Sequence, residues 1–176
     1  FSPTVDTRFV TEKYNLKGRE MILTVGRLED YKGQDMVISS LKEVIKKVAN
    51  IVYFIVGAGP DEKRLKDIVV SCGLERHVVF LENFVPDELA KFYAASSIFV
   101  MVSREIEKKV EVEGFGIVFL EANACGKPVI GGNSGGISDA IIDGQTGLIV
   151  DPEDVGAISN AILSLLLDKE YAANLG

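Results

Sequence analysis

Histidine and cysteine are scarce in this sequence, which limits the metal and disulfide chemistry open to it. Its 176 residues include one histidine, His77, and two cysteines, Cys72 and Cys125. A structural zinc site needs several Cys or His ligands at short spacing, so the sequence argues against zinc. Two distant thiols are typical of reduced core residues in a cytoplasmic protein. We interpret His77, which stands beside an apolar run, as a structural residue.

Long runs of positive charge and long apolar runs are also missing. The net charge is −7, whereas nucleic-acid binding needs a clustered basic surface, so we expect no nucleic-acid partner. The longest apolar stretches fall far short of the roughly 20 residues that span a bilayer, and we recognise no signal peptide at the start. An anionic ligand would have to be held by a few local cations and backbone N–H groups.

The composition fits one globular domain preceded by a connecting segment. Hydrophobic residues make up 47% of the chain and charged residues 26%, which suits a compact domain with a sizeable core. The chain begins with Phe1 rather than Met, and residues 1–9 resemble an extended linker around Pro3. We expect a piece of a longer protein, with a linker and lead-in over residues 1–18 and one domain over residues 19–176.

Short apolar runs alternate with helical patterns along the chain. The runs predict strands at 21–25, 51–56, 78–81, 98–102, 129–130 and 148–150. Helices are predicted between them, and the last one starts at Asp151 as N-cap. Continuous apolar strands separated by helices predict an α/β fold, a doubly wound, Rossmann-like parallel sheet. Ligands of such sheets bind beyond the carboxyl ends of the strands, so the informative residues should follow the strands directly.

Two cations follow the first predicted strand. Arg27 and Lys32 are five residues apart and are flanked by Gly26 and Gly33, which permit tight turns and close backbone approach. Both side chains can converge on one anion at the end of the strand. The alternative is a pair of solvated surface charges beside a loop.

Glycines also follow the second and fifth predicted strands. The run at 57–60, Gly-Ala-Gly-Pro, lacks the third glycine of the dinucleotide fingerprint because Glu62 stands in its place. We interpret it as a tight loop near a ligand, with a plain turn as the alternative. Residues 131–136 contain four glycines, for which backbone approach to a ligand and simple loop flexibility both stay open.

The strongest pattern runs from Glu113 to Glu121, with the sequence Glu-Gly-Phe-Gly-Ile-Val-Phe-Leu-Glu. Gly114 and Gly116 leave the first N–H groups of the following helix uncovered, and such an N-terminus attracts anions. Glu113 precedes the helix and Glu121 is expected about two turns into it, so each carboxylate can accept hydrogen bonds from sugar hydroxyls. The alternative is a capped amphipathic helix with two surface glutamates.

Taken in order, these motifs resemble the C-terminal domain of family 4 retaining glycosyltransferases of the GT-B fold. The resemblance covers nearly the whole chain. It includes the Gly-Arg-Leu…Lys-Gly loop, the run at 57–60, Asn-Phe-Val-Pro at 83–86, the two glutamates and the Gly135-Gly136 turn. Ser138-Asp139 departs from the Pro-Glu common in the family.

The resemblance implies roles for named residues. Arg27 and Lys32 would bind the diphosphate of the donor and stabilise the leaving group, Glu113 would contact the transferred sugar, and Glu121 would hold the ribose hydroxyls. The other donor-binding residues implied are Gly26, Asn83, Phe84, Val85, Phe115, Gly116, Ile117 and Val118. Neither a metal nor a cofactor is implied; the donor would be a GDP- or UDP-linked sugar.

The long loop at 103–113 is similar to that of mannosyltransferases acting on phosphatidylinositol mannosides, which favours GDP-mannose. The acceptor, a sugar or lipid-linked sugar, would be bound with an N-terminal domain, and the expected location is cytoplasmic, with peripheral attachment to the inner face of the membrane open. The alternatives are a non-catalytic nucleotide-sugar sensor, a nicotinamide-dependent dehydrogenase and a phosphorylase of the same fold. The poor glycine fingerprint argues against the dehydrogenase, and no cofactor lysine is identified for the phosphorylase.

Overall fold

A parallel sheet forms the centre of the molecule in a computed structural model of the chain, which describes residues 1–82, 85, 88–106 and 114–176. Within these residues the sheet has six strands in the order β3-β2-β1-β4-β5-β6. The strands are β1 Glu20–Val25, β2 Ile51–Val56, β3 Val78–Leu81, β4 Ile98–Met101, β5 Val129–Gly132 and β6 Leu148–Val150. All five recorded pairings are parallel, as the apolar runs predict.

Helices cover both faces of the sheet. They are α1 Arg8–Lys13, α2 Gln34–Lys47, α3 Glu62–Ser71, α4 Leu89–Ala95, α5 Ile117–Ala124, α6 Ile137–Ala140, α7 Val155–Leu167 and α8 Lys169–Leu175. Successive residues of β2 alternate between two buried clusters: Tyr53 and Ile55 pack with α2, α3 and α7, whereas Val52 and Phe54 pack with α1, α4 and α5. This period of two places one cluster on each face. The doubly wound, Rossmann-like α/β prediction is therefore confirmed.

The strand order creates a switch point between β1 and β4. From β1 the chain winds outward through β2 to β3, and from β4 it winds the other way through β5 to β6. In open α/β sheets the crevice for the ligand lies beyond the carboxyl ends of the strands at such a reversal. The loop after β1 and the residues that directly follow β4 border this crevice.

The predicted helix boundaries are wrong at both ends of the chain. The opening segment is not extended throughout, because α1 begins at Arg8 and buries Val10. The last helix begins three residues later than predicted: Asp154 is the N-cap of α7, and its side chain accepts from the N–H of Ala157 at 2.9 Å. Asp151 instead accepts from the N–H of Glu153 within a turn. A second N-cap, Asp168, divides the final helical stretch into α7 and α8.

Among the helices that the structure describes, none is both long and apolar enough to pass through a membrane. The two cysteines are both free, with Cys125 buried and Cys72 half-buried. His77 lies at the amino edge of the sheet, where its Nδ1 is 3.0 Å from the carbonyl oxygen of Ile51. This supports the structural interpretation of the single histidine.

Candidate functional site

The loop after β1 brings two cations to the switch point. Arg27 is largely exposed, at 75% of its side-chain surface, and its Nη2 lies 2.8 Å from Oε1 of Glu29. Gln34, buried at the start of α2, donates from Nε2 to the carbonyl oxygen of Arg27 at 3.0 Å. Lys32 ends a short 3₁₀ turn, with Nζ 5.0 Å from the ring centroid of Tyr31. The backbone under Arg27 is therefore fixed while its guanidinium faces solvent.

The glycines at 57–60 bring the loop after β2 onto the loop after β1. A Cβ on Gly57 would overlap the carbonyl oxygen of Gly26, and one on Gly59 would overlap that of Leu28. The N–H of Leu28 also donates to the carbonyl of Ala58 at 3.1 Å. The tight loop that the sequence indicates is present. Its glycines are required because they lie against the backbone of the loop after β1.

Buried charges join the loops at the switch point. Both carboxylate oxygens of Asp35 on α2 accept from Arg104 in the loop after β4, at 3.1 and 2.8 Å, and Arg64 on α3 donates to Oδ2 at 3.0 Å. Arg64 also pairs with Asp61 at 2.6 Å. Burial raises the pKa of Asp35, but the two arginines outweigh it and hold that pKa below its ordinary value. The backbone N–H of Arg104 donates to the carbonyl of Tyr31 at 2.8 Å.

Sequence reasoning missed this network because Asp35 and Arg104 are 69 positions apart. The only available signal was the residue pattern: two polar residues, Gln34 and Asp35, begin a helix whose buried face is otherwise apolar except for Ser40. Both residues are buried in the structure, with relative exposures of 1% and 9%. Buried charges are paired as a rule. Had Asp35 been predicted to be buried, a cationic partner would have been expected for it.

The N-terminus of α5 opens toward the crevice. Gly116, its N-cap, has φ 75° and ψ 50°, a left-handed conformation that favours glycine. Among the described residues, no hydrogen bond is recorded for the N–H groups of Ile117 and Val118, which lie in the first turn. The side chains of Phe115 and Ile117 are 49% and 66% exposed. Free donors and the positive end of the helix dipole make this terminus suitable for a phosphate.

Glu121 is the fifth residue of α5, so it lies just over one helical turn from the start and not two as predicted. Its Oε2 accepts from the phenol of Tyr93 on α4 at 2.8 Å. Tyr93 is fully buried. Burial and the bond to Glu121 together raise the pKa of this phenol well above its ordinary range, which keeps it protonated as a donor.

Further glycines draw the loops beyond β1, β4 and β5 together. In each case an added Cβ would overlap a backbone carbonyl oxygen. The contacts are Gly33 on Val102, Gly132 on Ser103 and Gly136 on Gly114. Two of the four glycines at 131–136, Gly132 and Gly136, are therefore required by close packing against neighbouring backbone. This explanation differs from both interpretations of the sequence, backbone approach to a ligand and loop flexibility.

The described residues connect parts of the predicted site in two places. The loop carrying Arg27 and Lys32 contacts the loop after β4, and the residues before α5 contact the loop after β5. Val85 is 54% exposed, and its carbonyl accepts from the N–H of Glu88 at 2.8 Å. Glu113, Asn83 and Phe84 lie outside the described residues.

A second cleft lies beyond β5 and β6. Its volume is about 510 Å³, and its lining includes Asn133, Asp143 and Asp151. Oδ1 of each aspartate accepts from a nearby backbone N–H, of Ile149 and Glu153 respectively. Its carboxylates serve local turns and would repel an anion. Within the described ranges, no three His, Cys, Asp or Glu residues are grouped so as to hold a metal ion.

The strand order and the switch-point loops define a Rossmann-like domain, and the solved structures that superpose on it place it among the GT-B glycosyltransferases. Sucrose-phosphate synthase from Thermosynechococcus elongatus superposes with a TM-score of 0.85 at 30% identity, over 99% of this chain and 42% of its own. The C-terminal domain of a glycosyl transferase group 1 family protein from Francisella tularensis superposes with a TM-score of 0.84 at 25% identity, over 99% of this chain and 89% of that domain.

Residues 6–176 match the family model described as glycosyl transferases group 1, and the chain belongs to this family. A curated relative is the GDP-mannose-dependent alpha-(1-6)-phosphatidylinositol monomannoside mannosyltransferase of Mycolicibacterium smegmatis, which is 40% identical over 100% of this chain. The chain spans 46% of the length of that relative. The predicted resemblance is confirmed at the level of the family.

Proposed function

We propose that this chain is the donor-binding domain of a retaining, family 4 glycosyltransferase that moves a hexose from a nucleoside-diphosphate sugar to an acceptor. The N-terminus of α5 carries this proposal. It opens at the switch point through the left-handed Gly116, and the carboxylate of Glu121, held by Tyr93, follows one turn later. A diphosphate at the N–H groups would place a ribose within the span of that turn.

The reaction requires negative charge on the departing diphosphate to be stabilised. Arg27 and Lys32 would supply two cations, and the N–H groups of Ile117 and Val118 would supply fixed donors aimed at the same oxygens. This scheme needs neither a divalent metal nor a cofactor. Glu113 would contact the transferred sugar and favour positive charge at the anomeric carbon electrostatically; a role as nucleophile is not part of the proposal. Gly26 and Phe115 would line the phosphate and sugar, while Asn83, Phe84 and Val85 would frame the base.

GDP-mannose is the donor that we propose, with UDP-linked sugars as the alternative. The argument is the 40% identity to a mannosyltransferase named as GDP-mannose-dependent. We further propose that a separate N-terminal domain binds a lipid-linked sugar acceptor, that residues 1–18 connect the two domains, and that the enzyme acts at the cytoplasmic face of a membrane. The chain by itself would bind donor weakly and transfer little, since half of an interdomain cleft is provided elsewhere.

Thermal unfolding with GDP, GDP-mannose, UDP, ADP and NAD, in the presence of EDTA, tests this function. At ten times its Kd a ligand adds about 1.4 kcal/mol of stability, or a rise in Tm of about 3–5 °C for a domain of this size. We expect GDP and GDP-mannose to give this rise and Arg27→Ala or Glu121→Ala to remove most of it. Stabilisation by NAD alone, or by no nucleoside diphosphate at millimolar concentration, would contradict the proposal.

Arg8→Ala is a matched control for Arg27→Ala. The Arg8 side chain is 81% exposed and pairs with Asp6 at 2.7 Å, whereas Arg27 is 75% exposed and pairs with Glu29 at 2.8 Å. The two substitutions remove the same charge from similar surface ion pairs. Only the change at Arg27 should reduce the effect of GDP on Tm.

A further inference from the structure

Tyr93 connects the buried face of α4 to the candidate site on α5. Its side chain has no exposed surface. Its ring packs on Phe99 of β4 with centroids 5.6 Å apart, and the ring of Phe1 stands edge-on at 5.5 Å. Its carbonyl accepts from Ser96 Oγ at 2.8 Å. The phenol is therefore held by packing on its ring and by hydrogen bonding on its backbone.

The phenol oxygen restrains one half of the Glu121 carboxylate. It donates to Oε2 at 2.8 Å, and among the described residues no hydrogen bond is recorded for Oε1. Glu121 is half-buried, so its side chain is partly accessible to solvent. A free glutamate loses rotamer entropy when a ligand orders it. A glutamate that is already ordered avoids most of that loss, which strengthens any bond that Oε1 accepts.

We propose that Tyr93 is a positioning residue that holds Glu121 so that its free carboxylate oxygen accepts hydrogen bonds from the ribose hydroxyls of the donor. This inference rests on the proposed function, because it takes the ribose as the partner of Glu121. Tyr93 itself does not touch the ligand. Its effect should therefore depend on the ribose hydroxyls and be independent of the base and the phosphates.

Isothermal titration of the chain with GDP and with 2′,3′-dideoxy-GDP separates this role from general destabilisation. Tyr93→Phe removes only the phenol oxygen. We expect it to weaken GDP binding about fivefold to tenfold, because binding must then order a Glu121 side chain that Tyr93 no longer restrains. Binding of the dideoxy nucleotide should stay within about twofold of wild type, because the lost contact is absent from that ligand.

Tyr53→Phe is the matched control. Tyr53 is also fully buried, and its phenol is 2.7 Å from Thr24 Oγ1, but it packs in the cluster that contains α2 and α7. Its loss should leave the preference for GDP over the dideoxy nucleotide unchanged. With Glu121→Ala already in place, Tyr93→Phe should add no further loss of GDP affinity.

Two outcomes would overturn the inference. One is a Tyr93→Phe protein that binds GDP as tightly as the wild type does; the other is equal weakening of the binding of both nucleotides. Should Tyr93→Phe fail to fold, 4-fluorophenylalanine at position 93 fills the same volume without donating and must lose the preference, whereas 4-aminophenylalanine donates and must retain it. If the wild-type chain binds neither nucleotide, the proposed function fails together with this inference.

Discussion

Asp35→Asn perturbs the charge network at the switch point while keeping the shape of the side chain. The carboxylate of Asp35 is 12% exposed and accepts three hydrogen bonds, two from Arg104 and one from Arg64. Arg104 is 15% exposed. The substitution removes the negative charge and leaves an amide NH₂ facing a guanidinium. Arg104 then has no carboxylate partner among the described residues.

The expected loss of stability follows from this burial. Breaking a buried ion pair by removing one partner costs about 3–5 kcal/mol, since a charge is left uncompensated in a low-dielectric site. Asn retains one acceptor oxygen and Arg64 is partly exposed, so we expect about 2–3 kcal/mol. For a domain of this size that lowers Tm by about 5–10 °C. Both values should be measured by circular dichroism, from thermal melts and from chemical denaturation.

Glu43→Gln provides the control, because Glu43 pairs with Lys46 at 2.6 Å but the two side chains are 55% and 64% exposed. Exposed pairs contribute about 0–1 kcal/mol.

The pKa of Asp35 is lowered by the arginines from its ordinary 3.8. The contribution of the Asp35 carboxylate to stability is therefore complete above that value and is lost as pH falls below it. The difference in Tm between the wild type and Asp35→Asn should therefore become smaller in acid. Equal, small shifts for both variants, or a gap independent of pH, would refute the reasoning.

Three further predictions concern packing, capping and thiol access. Gly136→Ala should lower Tm by several degrees in thermal melts, because its Cβ would overlap the carbonyl of Gly114. Gly114→Ala should be tolerated, since no described residue lies within 4 Å of its Cβ; equal effects would refute the loop contact. Asp154→Ala should cost about 1 kcal/mol in denaturant titrations through loss of the N-cap bond, and no loss would contradict that cap. Cys125 is buried and its pKa is raised by burial, so a disulfide reagent should label half-buried Cys72 first in the native protein and Cys125 only on unfolding; early labelling of Cys125 would contradict its burial.

The strands could be predicted because all of them are parallel and the inner ones are buried on both faces. A strand buried on both faces needs an apolar residue at every position, and Ile51–Val56 meets that condition without interruption. The predicted bounds of β2, β3 and β6 agree with the structure. The start of α7 was harder to predict, since Asp151 and Asp154 are equally good N-caps by residue type. The choice depends on tertiary packing, because the helix must direct Ile158 and Ile162 into the core.

The contacts that assemble the site could not be predicted, because they link residues distant in sequence. Tyr93 and Glu121 are 28 positions apart, and Asp35 and Arg64 are 29 apart. Glycine content marked the correct loops, but it could not show that Gly136 meets Gly114. Local patterns report which segments end at the carboxyl edge of the sheet. Which of them touch is decided by the strand order.

A crystal structure of the chain with GDP tests the central claim most directly, because it locates each part of the nucleotide. Our account predicts the diphosphate at the N–H groups of Ile117 and Val118 with Arg27 and Lys32 on its oxygens, and the ribose hydroxyls on Oε1 of Glu121. A diphosphate in the cleft beyond β5 and β6, or a ribose away from Glu121, would contradict it.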